Sequence, residues 1–366
     1  MKVLVIWRLL TVGGVNAGWR NRAKYLKQQG ISVEFLYYKD LGGMHVMEDV
    51  APVYLTKKED EIVEIIQQNS YDLIIVVDTP KAYKWLNKAN YQGPVLVEAR
   101  TPEIVKLQKN LVDFETVSPA KVIVPSEHQK RVLSLLVDQS RPIEVIYNGI
   151  DTDFFKPLNR NEIDQQQDPV RSPDKKVVTY IGRLDKRKNW RLLLRIAEEI
   201  NRTRQDIEFW VVGGAKSKER DLFAETLKKQ QLDDIVKWYP VVPYQQMPHM
   251  YAKIRESQGC TIATTRAESF GNTFIESMAC GVPVVAPSVS SIPEIVRHGK
   301  MGYLFKEEDV NDAVSQIENI VDQNNEDYDR MSVKARKQVE KHFSIEQVAD
   351  QYAALLKQVV ERDGTP

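Results

Sequence analysis

Short β-branched apolar runs and helix-like stretches alternate along this chain, stop, and then alternate again. Runs of this kind occupy residues 3–6, 31–37, 73–77, 95–97, 121–124 and 143–146, and each is short enough to be a strand with both faces buried. Helix-like segments intervene. One ends at Gly30, a residue suited to a C-cap, and another begins at Ser126 with Gln129 three residues on, the spacing of a capping box. Strands separated by helices must cross over a layer to pair, which gives a parallel, doubly wound sheet. From 156 to 175 the pattern lapses into Pro157, Pro169, Pro173 and the run Gln165, Gln166, Gln167, the composition of a linker or surface excursion. A second series then opens at 177–181, continues through 209–212 and 284–286, and closes with helical stretches at 328–342 and 345–360. The 366 residues exceed what one hydrophobic core holds. The expected architecture is therefore α/β, two Rossmann-like doubly wound domains facing a cleft, with ligands at the carboxyl ends of the strands. Residues 1–155 form the first, 156–175 the linker, and 176–344 the second.

Composition removes several function classes. The chain is 42% apolar without a run approaching a membrane span, and Lys+Arg 51 against Asp+Glu 51 gives no bulk charge to attract nucleic acid. Cys260 and Cys280 lie in apolar segments and read as core residues of a reducing compartment. The apolar part of the N-terminus is too short for a signal peptide, so the expected location is cytoplasmic, with peripheral contact at the inner face of a membrane left open. His45, His128, His249, His298 and His342 are scattered without metal-ligand spacing. Asp151 and Asp153 are separated by a single residue but lack the further oxygen ligands that a metal requires, so no metal and no cofactor are expected. Gly13 and Gly14 sit between the first strand and its helix, where backbone can approach phosphate or sugar, yet the three-glycine dinucleotide pattern is absent.

The chemistry concentrates in Glu268-Ser269-Phe270-Gly271-Asn272-Thr273-Phe274-Ile275-Glu276, followed by Cys280-Gly281-Val282-Pro283. Gly271 permits close backbone approach, and the helix that starts after it offers N–H groups to an anion such as phosphate. A carboxylate repels phosphate, so Glu268 and Glu276 suit hydroxyl-bearing groups attached to it, a sugar on one side and a ribose on the other. A second motif, Gly182-Arg183-Leu184-Asp185-Lys186-Arg187-Lys188, follows the first strand of the second series and sets a guanidinium and an ammonium beside that anion.

These two stretches resemble the retaining nucleotide-sugar glycosyltransferases of the GT-B fold, the glycosyl transferases group 1 that include glycogen synthases and bacterial mannosyl- and glucosyltransferases. The resemblance rests on the spacing from Glu268 to Glu276, on Phe270, Gly271, Gly281 and Pro283, on the separation of Arg183 from Lys188, and on the segment Tyr147 to Asp151 with Phe154, Phe155 and Pro157. It implies transfer of a hexose-type sugar from a UDP- or GDP-sugar to a hydroxyl acceptor with retention at the anomeric carbon. Arg183 and Lys188 would stabilise the leaving diphosphate. Glu268 would hold the sugar and Glu276 the ribose, Phe270, Gly271, Asn272 and Thr273 would line the nucleotide-sugar, and Tyr239 in Trp238-Tyr239-Pro240-Val241 would meet the base. The resemblance also implies that the last helix, 345–366, packs back on the first domain.

One departure concerns the first domain, where many relatives carry a His in the position reached by Val95 to Arg100. Here Glu98 and Arg100 stand instead, and Asp78 and Glu98 each read first as a strand-end carboxylate with a structural partner, acceptance of a hydrogen bond from a hydroxyl being the alternative. The acceptor stays open among lipid-linked saccharide, polysaccharide, small metabolite and protein. An epimerase or hydrolase of the same fold, and a non-catalytic nucleotide-sugar binding protein, are the competing functions.

Overall fold

The computed structural model describes residues 1–11, 14–138, 141–163, 169–214 and 216–363. The chain divides into two compact units, Met1–Asp151 with Phe343–Pro366, and Thr152–His342.

The first unit contains strands β1 (Lys2–Trp7), β2 (Leu9–Thr11), β3 (Ser32–Tyr37), β4 (Lys39–Leu41), β5 (Val53–Leu55), β6 (Leu73–Val77), β7 (Val95–Glu98), β8 (Lys121–Val124) and β9 (Ile143–Val145). Seven of them form a parallel sheet in the order β5-β3-β1-β6-β7-β8-β9, while β2 and β4 pair separately. Both faces of this sheet are buried, as continuous apolar strands require. Along β1 the alternation is direct. Val3 and Val5 join a core with Phe35, Leu73 and Ile75, and Leu4 and Ile6 join another with Leu36, Ile74 and Val76. The C-terminal helix Ile345–Asp363 supplies Val348, Tyr352 and Leu356 to the first of these cores, and Trp19 meets Tyr352 edge-on at 5.5 Å.

The helix Glu127–Ser134 carries only half of the expected capping box. The Ser126 hydroxyl accepts the Gln129 N–H at 3.1 Å, but the Gln129 side chain turns away to donate to the Thr101 carbonyl at 2.7 Å.

The second unit contains β10 (Lys176–Ile181), β11 (Ile207–Val212), β12 (Val236–Tyr239), β13 (Cys260–Ile262), β14 (Val284–Pro287) and β15 (Gly302–Phe305), all parallel, in the order β12-β11-β10-β13-β14-β15. The chain moves outward from β10 through β11 to β12, then returns to the other side of β10 at β13. That reversal opens a crevice beyond the carboxyl ends of β10 and β13. Helix Trp190–Thr203 closes one face with Leu193, Ile196, Ala197 and Ile200. The proline-rich stretch is tied down where it approaches β10: Glu208 accepts the Ser172 N–H at 3.1 Å, and the buried Lys253 donates to the Pro169 carbonyl at 3.1 Å.

Candidate active site

Both sequence motifs emerge at the crevice of the second unit. The turn 182–189 leaves β10, and the loop 263–271 leaves β13, so residues about eighty positions apart become neighbours because their strands pair. The turn is shaped by Asp185, whose carboxylate accepts the Lys188 N–H at 2.7 Å and whose carbonyl accepts the Asn189 N–H at 3.0 Å. Lys188 then reaches Glu268, and its ammonium pairs with Oε1 of that carboxylate. Arg187 approaches the same oxygen at 3.3 Å and donates to the Ala267 carbonyl at 2.6 Å. Thr264 and Thr265 lock the two loops together by donating to the carbonyls of Lys188 at 3.0 Å and Arg187 at 3.3 Å. Burial alone would push the Glu268 carboxyl up, but the charges of Lys188 and Arg187 and their hydrogen bonds hold it below the usual carboxylate range.

Beyond Glu268 the loop is fixed by the buried Ser291, whose hydroxyl donates to the carbonyls of Glu268 at 3.0 Å and Phe270 at 3.3 Å. Phe270 itself is 1% exposed, so the expectation that it lines the nucleotide-sugar is corrected for its side chain, which is buried. Gly271 caps helix Asn272–Ala279 with φ of 107°, and a Cβ there would lie 2.5 Å from the Phe274 ring. Only glycine fits. Asn272 and Thr273 form the first turn, half-exposed, with the positive end of the helix dipole behind them. Glu276 lies one turn further, on the third-to-fourth residue period of the same helix face. Its only hydrogen-bond donor among the described residues is the Tyr251 hydroxyl at 3.3 Å, and burial pushes its carboxyl up to about 7.

Arg183 is on the same turn but apart from this cluster. Its side chain is 68% exposed and pairs with Asp185 at 3.1 Å, not with Glu268. Tyr239 ends β12, its carbonyl accepting the Gly213 N–H at 2.9 Å and its ring edge-on to Trp210. Gly213, with φ of 114°, faces the Gly182 carbonyl so closely that a Cβ would sit 2.4 Å from that oxygen. Sequence reasoning missed this glycine, as it missed Arg187, Ser291 and Tyr251. A glycine pair directly after a strand was the available signal at Gly213 and Gly214, and Arg187 stood inside the basic motif beside Lys188; Ser291 and Tyr251 carry none, since their partners are remote in the chain.

In the first unit, Gly13 lies outside the described residues, and Gly14 opens the helix Gly14–Gln28. The approach to it is pinned by the buried Asn16, which donates to the Thr11 carbonyl at 2.7 Å and accepts from the Tyr37 hydroxyl at 2.9 Å. Asp78 follows β6, at the point where the strand order of that sheet reverses, in a left-handed conformation with φ of 42°. It accepts the Arg100 N–H at 3.2 Å, and burial raises its carboxyl to about 6.

Of the two readings of Glu98 the structural one holds, and the sugar-side one is corrected. Glu98 is fully buried and receives Tyr352 at 2.5 Å, Arg100 at 2.9 Å and Arg22 at 3.3 Å, so it anchors a network inside the unit and offers nothing to a sugar. Arg22 lies against both Trp19 and Tyr352, 4.6 and 4.2 Å from their ring centres. Arg100 extends the network from Glu98 to the Asn148 side chain, which its Nη1 meets at 2.6 Å, while its buried Nη2 has no hydrogen-bond partner among the described residues. Among the described residues, no helix is long and apolar enough to cross a membrane.

Residues 161–338 match the family described as Glycosyl transferases group 1. Spore coat protein SA of Bacillus subtilis is 21% identical over 88% of this chain and 89% of its own length. A D-inositol 3-phosphate glycosyltransferase of Mycolicibacterium smegmatis is 28% identical over 55% of this chain, which spans about half of that relative, 45% of its length. The structure of HepE from Anabaena, solved with UDP and glucose, superposes with a TM-score of 0.84 at 21% identity, covering 98% of this chain and 99% of that one. The chain therefore has the GT-B fold, carries a glycosyl transferases group 1 domain in its second unit, and is a glycosyltransferase.

Proposed function

We propose that this glycosyltransferase takes a hexose from a nucleoside diphosphate sugar and passes it to a hydroxyl acceptor with retention of anomeric configuration, in polysaccharide or glycoconjugate synthesis. The observation that carries the reading is the convergence of Lys188 and Glu268 beyond the carboxyl ends of β10 and β13, next to the first turn of the helix Asn272–Ala279. A cation, a helix start and a carboxylate are the three groups that a diphosphate joined to a sugar needs. UDP is favoured over GDP as the donor nucleotide because HepE was crystallised with UDP-glucose.

In this reading the bond from the anomeric carbon to the diphosphate oxygen breaks while a bond from that carbon to the acceptor oxygen forms on the same face. The departing phosphate oxygen takes the acceptor's proton. No carboxylate or imidazole base is required, and the protein's task is to stabilise charge growing on the diphosphate. Lys188 and Arg183 do so, with the backbone of Gly271, Asn272 and Thr273. Both cations of the Glu268 cluster meet Oε1, so its Oε2 is the oxygen that accepts sugar hydroxyls. Glu276 accepts from the ribose, and the base lies by Trp238 and Tyr239. Acceptor recognition falls to the first unit, with Asp78 at its strand ends.

Melting curves with UDP, GDP and ADP test the donor, since a ligand bound only by the folded state raises apparent stability with the logarithm of its concentration. UDP should raise the melting temperature most. NMR of the product reports the anomer, and inversion would overturn retention.

A further inference from the structure

Glu268 is held by two cations that differ in how firmly each is itself held. The Arg187 guanidinium is anchored twice, to Glu268 Oε1 at 3.3 Å and to the Ala267 carbonyl at 2.6 Å, and the carbonyl of Arg187 is fixed by the Arg266 N–H at 2.9 Å. The Lys188 ammonium has Glu268 as its sole side-chain partner among the described residues. Arginine presents a rigid planar fork, whereas lysine carries a movable point charge on a flexible stem. The carboxylate between them is nearly buried, and a buried charge deprived of its only counter-ion is strongly destabilised. If Lys188 were the only cation, a diphosphate could recruit it only by stranding Glu268.

We propose that Arg187 is a positioning residue: it keeps Glu268 paired and aimed at the sugar while Lys188 transfers its ammonium from the carboxylate to the donor's diphosphate. The inference rests on the proposed donor site and adds to it a division of labour between adjacent basic residues. Lys188 is an exchangeable contact, shared by Glu268 in the empty enzyme and by phosphate in the loaded one. Arg187 touches neither phosphate nor sugar and acts through Glu268.

Calorimetry with UDP and with uridine tests it on the full chain. Arg187→Ala should weaken UDP about tenfold or more, because recruiting Lys188 now leaves a buried carboxylate uncompensated, while uridine binding stays near the wild-type value. Adding Glu268→Gln to Arg187→Ala removes the charge and should restore UDP affinity to within about threefold of wild type. Unchanged UDP affinity in Arg187→Ala would overturn the proposal. So would an equal loss for UDP and uridine that Glu268→Gln does not rescue, the pattern of a loop that has merely collapsed. Failure of the wild type to bind UDP or GDP would instead sink the donor site, and this inference with it.

Discussion

Glu276 is the residue whose surroundings make the sharpest quantitative demand. It is a shielded carboxylate with one neutral donor, Tyr251 at 3.3 Å, and no ion pair among the described residues. Tyr251 and the neighbouring Cys280 are both kept neutral, since burial pushes their ionisation up. Burial likewise raises the Glu276 carboxyl to about 7. Ribose hydroxyls donate hydrogen bonds, so the ionised form is the one that grips them, and nucleotide binding must draw the proton off. At about pH 8 roughly nine-tenths of Glu276 is ionised and at about pH 6 roughly one-tenth, so affinity should fall about ninefold over that range, ~1.3 kcal/mol. Glu276→Ala should cost about 1.5–3 kcal/mol at the higher pH, ten- to more than a hundredfold. Calorimetry with UDP across this range, on wild type and Glu276→Gln, separates the effect from titration of the diphosphate itself. The wild type should have the additional slope and Glu276→Gln should lack it. The same raised value has the opposite sign for stability: the contribution of Glu276 is fully present below the unfolded carboxyl range and lost as pH rises through about 7. Glu276→Gln should therefore melt higher than wild type at about pH 8 and no higher at about pH 4. Parallel pH profiles for the two proteins would refute the reasoning.

Lys188→Ala should reduce transfer by roughly 100- to 1,000-fold with little change in melting, because Arg187 still compensates Glu268. Arg183→Ala should lose less, since solvent screens a side chain that is 68% exposed; a comparable loss in steady-state rate would put Arg183 on the diphosphate with equal weight. Gly271→Ala should destabilise the second unit by about 1–3 kcal/mol in urea melts, because its φ of 107° and the Phe274 ring 2.5 Å from the new Cβ leave no room; unaltered stability would contradict the geometry. Transfer should persist in excess chelator if cationic side chains and backbone N–H groups serve the diphosphate; activity lost there and restored by magnesium or manganese would refute the metal-free reading.

Much of the fold was legible because parallel strands buried on both faces leave continuous apolar runs. The runs at 73–77 and 121–124 are β6 and β8 residue for residue. The strands that escaped notice are short or poorly patterned: β2, β5 and β13 have three residues each, β4 is Lys-Asp-Leu and wholly exposed, and β15 begins with Gly302. In the site, local chemistry was readable and remote partnership was not. Glu268 and Lys188 stood out as motif residues, but nothing in their own segments indicates that β10 and β13 pair and bring them into contact. Glu98 illustrates the converse. A strand-end carboxylate is open to either reading until Tyr352, 254 positions away, is found donating to it from the C-terminal helix.

The central claim is that Lys188 serves the diphosphate and Glu268 the sugar, and calorimetry of wild type and Glu268→Gln with UDP and with the UDP-sugar that the enzyme transfers tests it most directly. The account predicts that Glu268→Gln binds UDP at least as tightly as wild type, since Lys188 is released, while the added affinity conferred by the sugar falls about tenfold or more. Weakened UDP binding with the sugar's contribution intact would contradict it, and would exchange the ends of the donor that the site holds.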